Sequence, residues 1–191
     1  MSQLDEILAY NQEFVNNKQY VPYIADKYPR KKMVVVTCMD TRLVELLPQA
    51  LHIENGDVKM VKTAGALISN PHGSVMRSVL VAVSLLKAEE VLVIGHLECG
   101  MVGLESQAVL NALDQKGVSP EQAEQLEKQG INVEKWLKGC TTVEEGVLES
   151  VQLIRNHPLF PSHIPVHGLV IDPKTGKLEL LTDGREVVTH G

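Results

Sequence analysis

Apolar and polar positions alternate along this chain with two different periods. Behind Ser2, a residue able to cap a helix, Leu4, Ile7, Leu8, Phe14 and Val15 recur about every 3.6 residues and predict a helix with one apolar stripe. Residues 33–37, Met-Val-Val-Val-Thr, form a short β-branched run bounded by charge, the mark of a strand buried on both faces. Further strands are predicted at 58–62, 90–95 and 166–171, and a polar turn at 172–176 leads into a return strand at 177–181. Between these runs the helical period reappears at 43–51, interrupted by Pro48, and again at 74–87 and 143–156. A helix is also predicted from about Gly100 to Lys116, with two short polar helices after it.

Strands separated by helices imply right-handed βαβ units. The expected fold is therefore α/β: a Rossmann-like open sheet, mainly parallel, with an antiparallel C-terminal edge strand and helices on both faces. No linker, repeat or low-complexity tract divides it, so residues 1–191 read as one domain. Within it, residues 1–30 form a helical arm suited to covering a second copy of the chain. Packing of that arm on its own domain is the equal alternative.

Composition narrows the function classes. Net charge is −6 and the lysines are scattered, which disfavours nucleic acid or an anionic membrane as partner. No apolar run is long enough to span a bilayer, and the start of the chain lacks the pattern of a secretory signal. Three cysteines, an odd number, argue against a disulfide framework, and a cytoplasmic location is expected.

The candidate chemistry lies at two strand ends. Cys38-Met39-Asp40-Thr41-Arg42 follows the first strand, and His96-Leu97-Glu98-Cys99 follows the third. In an open α/β sheet, sites form beyond the carboxyl ends of strands, so the two segments meet if those strands are neighbours. Two thiolates and an imidazole suit tetrahedral zinc and leave its fourth position free. A helix starting at Gly100 would add a favourable dipole beside Cys99. Asp40 has two options: it can bind the metal, or it can pair with the Arg42 guanidinium in bidentate fashion. The sequence permits both states. Taken singly, Cys38 reads as a small buried hydrophobe, and one His-x-x-Cys is weak; the combination carries the argument. Cys140 reads as a structural thiol, His167 as a framework residue and His72 as a turn residue.

Cys38-Met39-Asp40-Thr41-Arg42, Lys62-Thr63-Ala64-Gly65 and Gly95-His96-Leu97-Glu98-Cys99-Gly100-Met101 together resemble the β-class carbonic anhydrases, in their compact prokaryotic and archaeal branch. The resemblance runs from about Met33 to Leu181. It implies Zn2+ held by Cys38, His96 and Cys99, with Asp40 and Arg42 as a catalytic gating dyad and Asp40 as fourth ligand in a closed state. It implies reversible hydration of carbon dioxide to bicarbonate and a proton. Met39, Lys59, Ala64 and Val81 are the expected substrate pocket. A homodimer is implied too, with higher assembly left open. Two departures stand out: Leu97-Glu98 between the ligands, and Thr63 where many compact members carry Asn. The alternatives are a related zinc hydrolase of carbonyl sulfide or carbon disulfide, and a non-catalytic zinc-binding protein fixed in the closed state.

Overall fold

The computed structural model of the protein describes residues 2–188. Five strands form one sheet: β1 (Met33–Cys38), β2 (Val58–Thr63), β3 (Glu90–His96), β4 (Val166–Ile171) and β5 (Leu178–Thr182). Their order is β2-β1-β3-β4-β5, parallel except for the antiparallel β4–β5 pair, as the alternation of elements predicts. The helices are α1 (Gln3–Asn16), α2 (Leu43–Ala50), α3 (Ser74–Ser84), α4 (Ser106–Asp114), α5 (Pro120–Lys128), α6 (Val133–Leu137), α7 (Val143–Arg155) and α8 (Arg185–Val188).

The central strands are mostly apolar because both of their faces are covered. Val34, Val35 and Val36 of β1 are fully buried. Side chains alternate across a strand, so they divide between two layers. Val34 and Val36 join Val91, Val93 and Val166 under Met76 and Val79 of α3 and Val147, Val151 and Ile154 of α7. Val35 joins Ile94 and Ile171 under Leu43 and Leu47 of α2. Each such buried aliphatic side chain contributes about 1.5–3 kcal/mol relative to an exposed one.

Chain order sets where a crevice opens. From β1 the chain moves to one neighbour, β2, and then returns past β1 to the other, β3. The carboxyl ends of β1 and β3 therefore flank a topological switch point. Gly95, near the end of β3, lets α7 lie directly on the sheet. A Cβ there would approach Val147 and Val143 to 2.7 and 2.8 Å. His96 follows on the opposite face, sharing the parity of Leu92 and Ile94, and so points into the layer beneath α2.

Two sequence expectations need correction. The helix predicted from Gly100 starts only at Ser106. Residues 100–105 are held instead by loop pairing, with Val102 bridged to Cys140 and the Gly103 N–H donating to the Cys140 carbonyl at 2.8 Å. Pro48 does not break α2, which continues to Ala50. The proline sits late in a short helix, and the carbonyl it leaves without its i→i−4 donor belongs to the exposed Val44. Helix α1 carries a capping box between Ser2 and Asp5 and buries none of its residues. The rest of the arm does meet its own chain: the Asn55 side-chain amide donates to the Tyr23 carbonyl, and Arg30 Nε donates to Asp57 Oδ1 at 2.7 Å. His190, for which the sequence offers no partner, lies outside the described residues.

Candidate metal centre

Cys38 ends β1, His96 ends β3, and Cys99 closes the turn that follows. All three are buried, and their donor atoms lie within 4.8 Å of one another, the only such group among the described residues. The two Sγ atoms are 4.0 Å apart. A tetrahedral zinc with Zn–S bonds of about 2.3 Å would separate two sulfurs by about 3.8 Å, so the spacing fits. His96 Nδ1 sits 2.8 Å from the Leu97 carbonyl, which fixes the proton on Nδ1 and leaves Nε2 with a free lone pair. That Nε2 is buried and has no hydrogen-bond partner. A buried imidazole lone pair facing two thiols is costly unless something electrophilic meets it. The residues fit a thiophilic divalent cation.

The thiols carry the same message. Burial pushes Cys99 up to about 11, with the neighbouring Cys38 adding to the shift and the Met101 N–H opposing it. Left alone, this sulfur stays protonated at neutral pH; a bound cation reverses that preference. Because α4 starts at Ser106, no helix N-terminus stands beside Cys99 as the sequence suggested. Support comes from single N–H groups, including that of Gly65, which donates to Cys38 Sγ at 3.3 Å. Gly65 has φ +72°, a left-handed conformation that places its N–H there without a Cβ clash.

Asp40 is held away from the cluster by Arg42. The Arg42 backbone N–H and Nε donate to Asp40 Oδ1 at 2.9 Å each, and Nη2 donates to Oδ2 at 2.9 Å. These bonds hold the Asp40 carboxyl far below the usual carboxylate range. Its Oδ2 remains 3.7 Å from His96 Nε2, within a short rotation of the cluster. Thr63, the register partner of Cys38, presents a second buried polar atom without a partner, its Oγ1.

The predicted pocket residues divide into two groups. Met39 and Ala64 adjoin Cys38 and Gly65 at the strand ends, with Met39 exposed and its N–H bonded to the Thr63 carbonyl at 2.8 Å. Lys59 and Val81 lie elsewhere. They line a cavity of about 500 Å³ between β2 and α3 that includes Val34 and Arg77 but none of Cys38, His96 and Cys99. Within one chain the structure does not bring these two residues to the cluster. His72 lies with His157 and Arg77 around a separate cavity of about 310 Å³. His167 is a framework residue, its Nε2 2.9 Å from Glu90 and its Nδ1 accepting from the Gly184 N–H. Cys140 directs its thiol at the Met101 carbonyl, 3.8 Å away, behind the loop that carries Cys99.

Sequence reasoning missed one pair. Glu98, between two of the cluster residues, accepts from Lys174 in the β4–β5 turn and stands 3.5 Å from Arg42 Nη1. Its carbonyl accepts from Arg42 Nη2 at 3.2 Å. The Lys174 ammonium holds the Glu98 carboxyl below its ordinary value. A signal was present in Glu98's position; nothing in the sequence pointed to Lys174.

A carbonic anhydrase family model matches residues 33–178. YvdA of Bacillus subtilis (strain 168), which carries the family's name, is 53% identical over 186 residues, covering 97% of this chain and 94% of its own. A carbon disulfide hydrolase of Acidithiobacillus thiooxidans is 30% identical over 155 residues, covering 78% of this chain and 76% of its own. Among solved structures, the β-carbonic anhydrase isoform I of Trichomonas vaginalis superposes with a TM-score of 0.87 at 31% identity, covering 96% of this chain and 100% of the other. The match spans both strand-end segments and the sheet that brings them together, and on that ground the chain belongs to the β-carbonic anhydrase family.

Proposed function

We propose that this protein catalyses the reversible hydration of carbon dioxide to bicarbonate and a proton at a zinc ion held by Cys38, His96 and Cys99. The observation that carries this reading is the buried, partnerless Nε2 of His96 facing two thiols, with Asp40 tied back by Arg42. Zinc bound there supplies Lewis acidity that lowers the pKa of water. The protein's own residues do the rest. Arg42 keeps Asp40 ionised, so the carboxylate is an acceptor only and can hold the nucleophile's proton at Oδ2. The same bidentate grip keeps that carboxylate out of the fourth ligand position. Met39 and Ala64 supply an apolar wall for a substrate without charge or dipole. Asp40 is about one-fifth exposed, so its carboxylate reaches solvent water, which can take the proton away.

The family relationship and the exposed stripe on α1 support a homodimer in which α1 lies on the partner. Leu4, Ile7 and Leu8 are 62%, 64% and 59% exposed, an apolar face left uncovered within its own chain. No helix among the described residues is long and apolar enough to cross a membrane. Three free thiols fit a reducing compartment, and we place the protein in the cytoplasm.

A second reading has a specific basis, because relatives named carbon disulfide hydrolase share about 30% identity with most of the chain. Carbon disulfide is linear and apolar like carbon dioxide, and the same site chemistry would serve it. Stopped-flow hydration of carbon dioxide from neutral to alkaline pH separates the two. We expect activity that rises with pH and disappears, together with bound zinc, in Cys38→Ala. A zinc-loaded protein inert towards carbon dioxide at every pH would sink the proposal. Turnover of carbon disulfide by that same inert protein would establish the second reading.

A further inference from the structure

We infer that Glu98 and Lys174 form an opposed pair of positioning residues that set how firmly Arg42 retains Asp40, and hence how accessible the fourth metal position is. The inference rests on the zinc reading above and concerns residues that the chemistry itself does not use.

One guanidinium serves two carboxylates here. Asp40 takes Nε and one face of Nη2, while Glu98 approaches Nη1 at 3.5 Å and supplies its own carbonyl to Nη2 at 3.2 Å. Two anions on one cation repel each other, so a charged Glu98 lowers the cost of Asp40 leaving. Once Asp40 has left, Arg42 still has an acceptor, and the guanidinium need not be stranded. Glu98 therefore favours the closed arrangement. Lys174 opposes it by holding the other oxygen of Glu98 and neutralising the charge.

Backbone geometry places Glu98 for this contact. Glu98 has φ +57°, a left-handed conformation that a residue with a long side chain adopts at a cost. The conformation comes with a carbonyl engaged by Arg42 and a carboxylate lying between Arg42 and Lys174. Strain of this kind persists where surrounding contacts over-determine it. Lys174 is itself fixed by the turn after β4, where its N–H donates to Asp172 Oδ1 at 2.8 Å and the Gly176 N–H closes on the Asp172 carbonyl at 2.8 Å. The pair thus links the sheet's antiparallel edge to the gate.

The test uses full-length protein reconstituted with Co2+, whose visible spectrum reports the fourth ligand, and thiocyanate as the probe for that position at one fixed pH. Because thiocyanate is itself an anion, each variant is read against uncharged imidazole at the same pH. Glu98→Gln should tighten and Lys174→Gln should weaken the binding of both probes, each by about threefold, the scale of partly exposed ion pairs. Opposite shifts confined to thiocyanate would overturn the inference. The double variant should return near the parent. Simple structural damage would move both single variants in one direction. Unchanged affinities, or shifts of the same sign, would overturn the inference. Opposite shifts with both probes, in a protein that fails to hydrate carbon dioxide, would uphold it while removing the proposed activity. Absence of a stoichiometric metal would remove both.

Discussion

Gly65 bears on the site more directly than its lack of a side chain suggests. It combines φ +72° with an N–H aimed at Cys38 Sγ, and a Cβ there would lie 2.9 Å from both Met101 Cβ and Cγ. Gly65→Ala should therefore cost about 1–2 kcal/mol from the left-handed conformation alone. It should also loosen the metal, because moving the turn withdraws a donor from a sulfur ligand. Denaturant unfolding and chelator competition would measure the two effects separately. Asp183 makes a pH prediction away from the site. The Arg185 guanidinium, then the Arg185 N–H, hold its carboxyl far below the usual range, with His167 nearby. A folded value below the unfolded one, about 3.9, means stability present above that pH and lost as pH falls through the folded value. Asp183→Asn should be less stable than the parent near neutral pH, with the difference closing below about pH 3. Parallel acid-limb denaturation curves of unequal height would contradict this. The residue scale is also where the sequence was most legible. Cys38, His96 and Cys99 announce themselves because strand ends in a switched sheet must face one crevice. Lys174 does not, because its meeting with Glu98 spans 76 residues and depends on how β4 turns back.

Elements were legible where periodicity and burial agree. The three central strands β1, β3 and β4 lie where β-branched runs fall, since a strand covered on both faces has little polar alternation to blur it. Helix starts were less legible where tertiary contacts compete. The apolar pattern after Gly100 would support a helix, yet Gly103 sits at φ +68° and the segment pairs with Cys140 instead. That exchange matters for the site. A helix starting at Gly100 would have lent Cys99 a dipole, whereas the loop gives it single N–H donors and places Met101 against Gly65. Pro48 shows the opposite error: an eight-residue helix tolerates the missing donor late in its length because Leu43 and Leu47 anchor it in the core. Arg42 stands immediately before that anchored helix, so the guanidinium is presented from a fixed base.

At the scale of the whole molecule, α1 is the part that does not complete itself. It is well made locally, with a capping box and acidic residues in its first turn, yet every residue in it stays unburied. A helix of 14 residues is marginal in water without tertiary packing, so its persistence calls for a surface to lie against. If that surface is a second copy, folding and association share one equilibrium. Dilution then becomes a denaturant: the melting temperature should fall as protein concentration falls, at constant buffer. Replacing Leu4 and Ile7 with Ser should lower it further and abolish its dependence on concentration. A melting temperature indifferent to dilution, with a monomer in the analytical ultracentrifuge, would leave α1 without a partner.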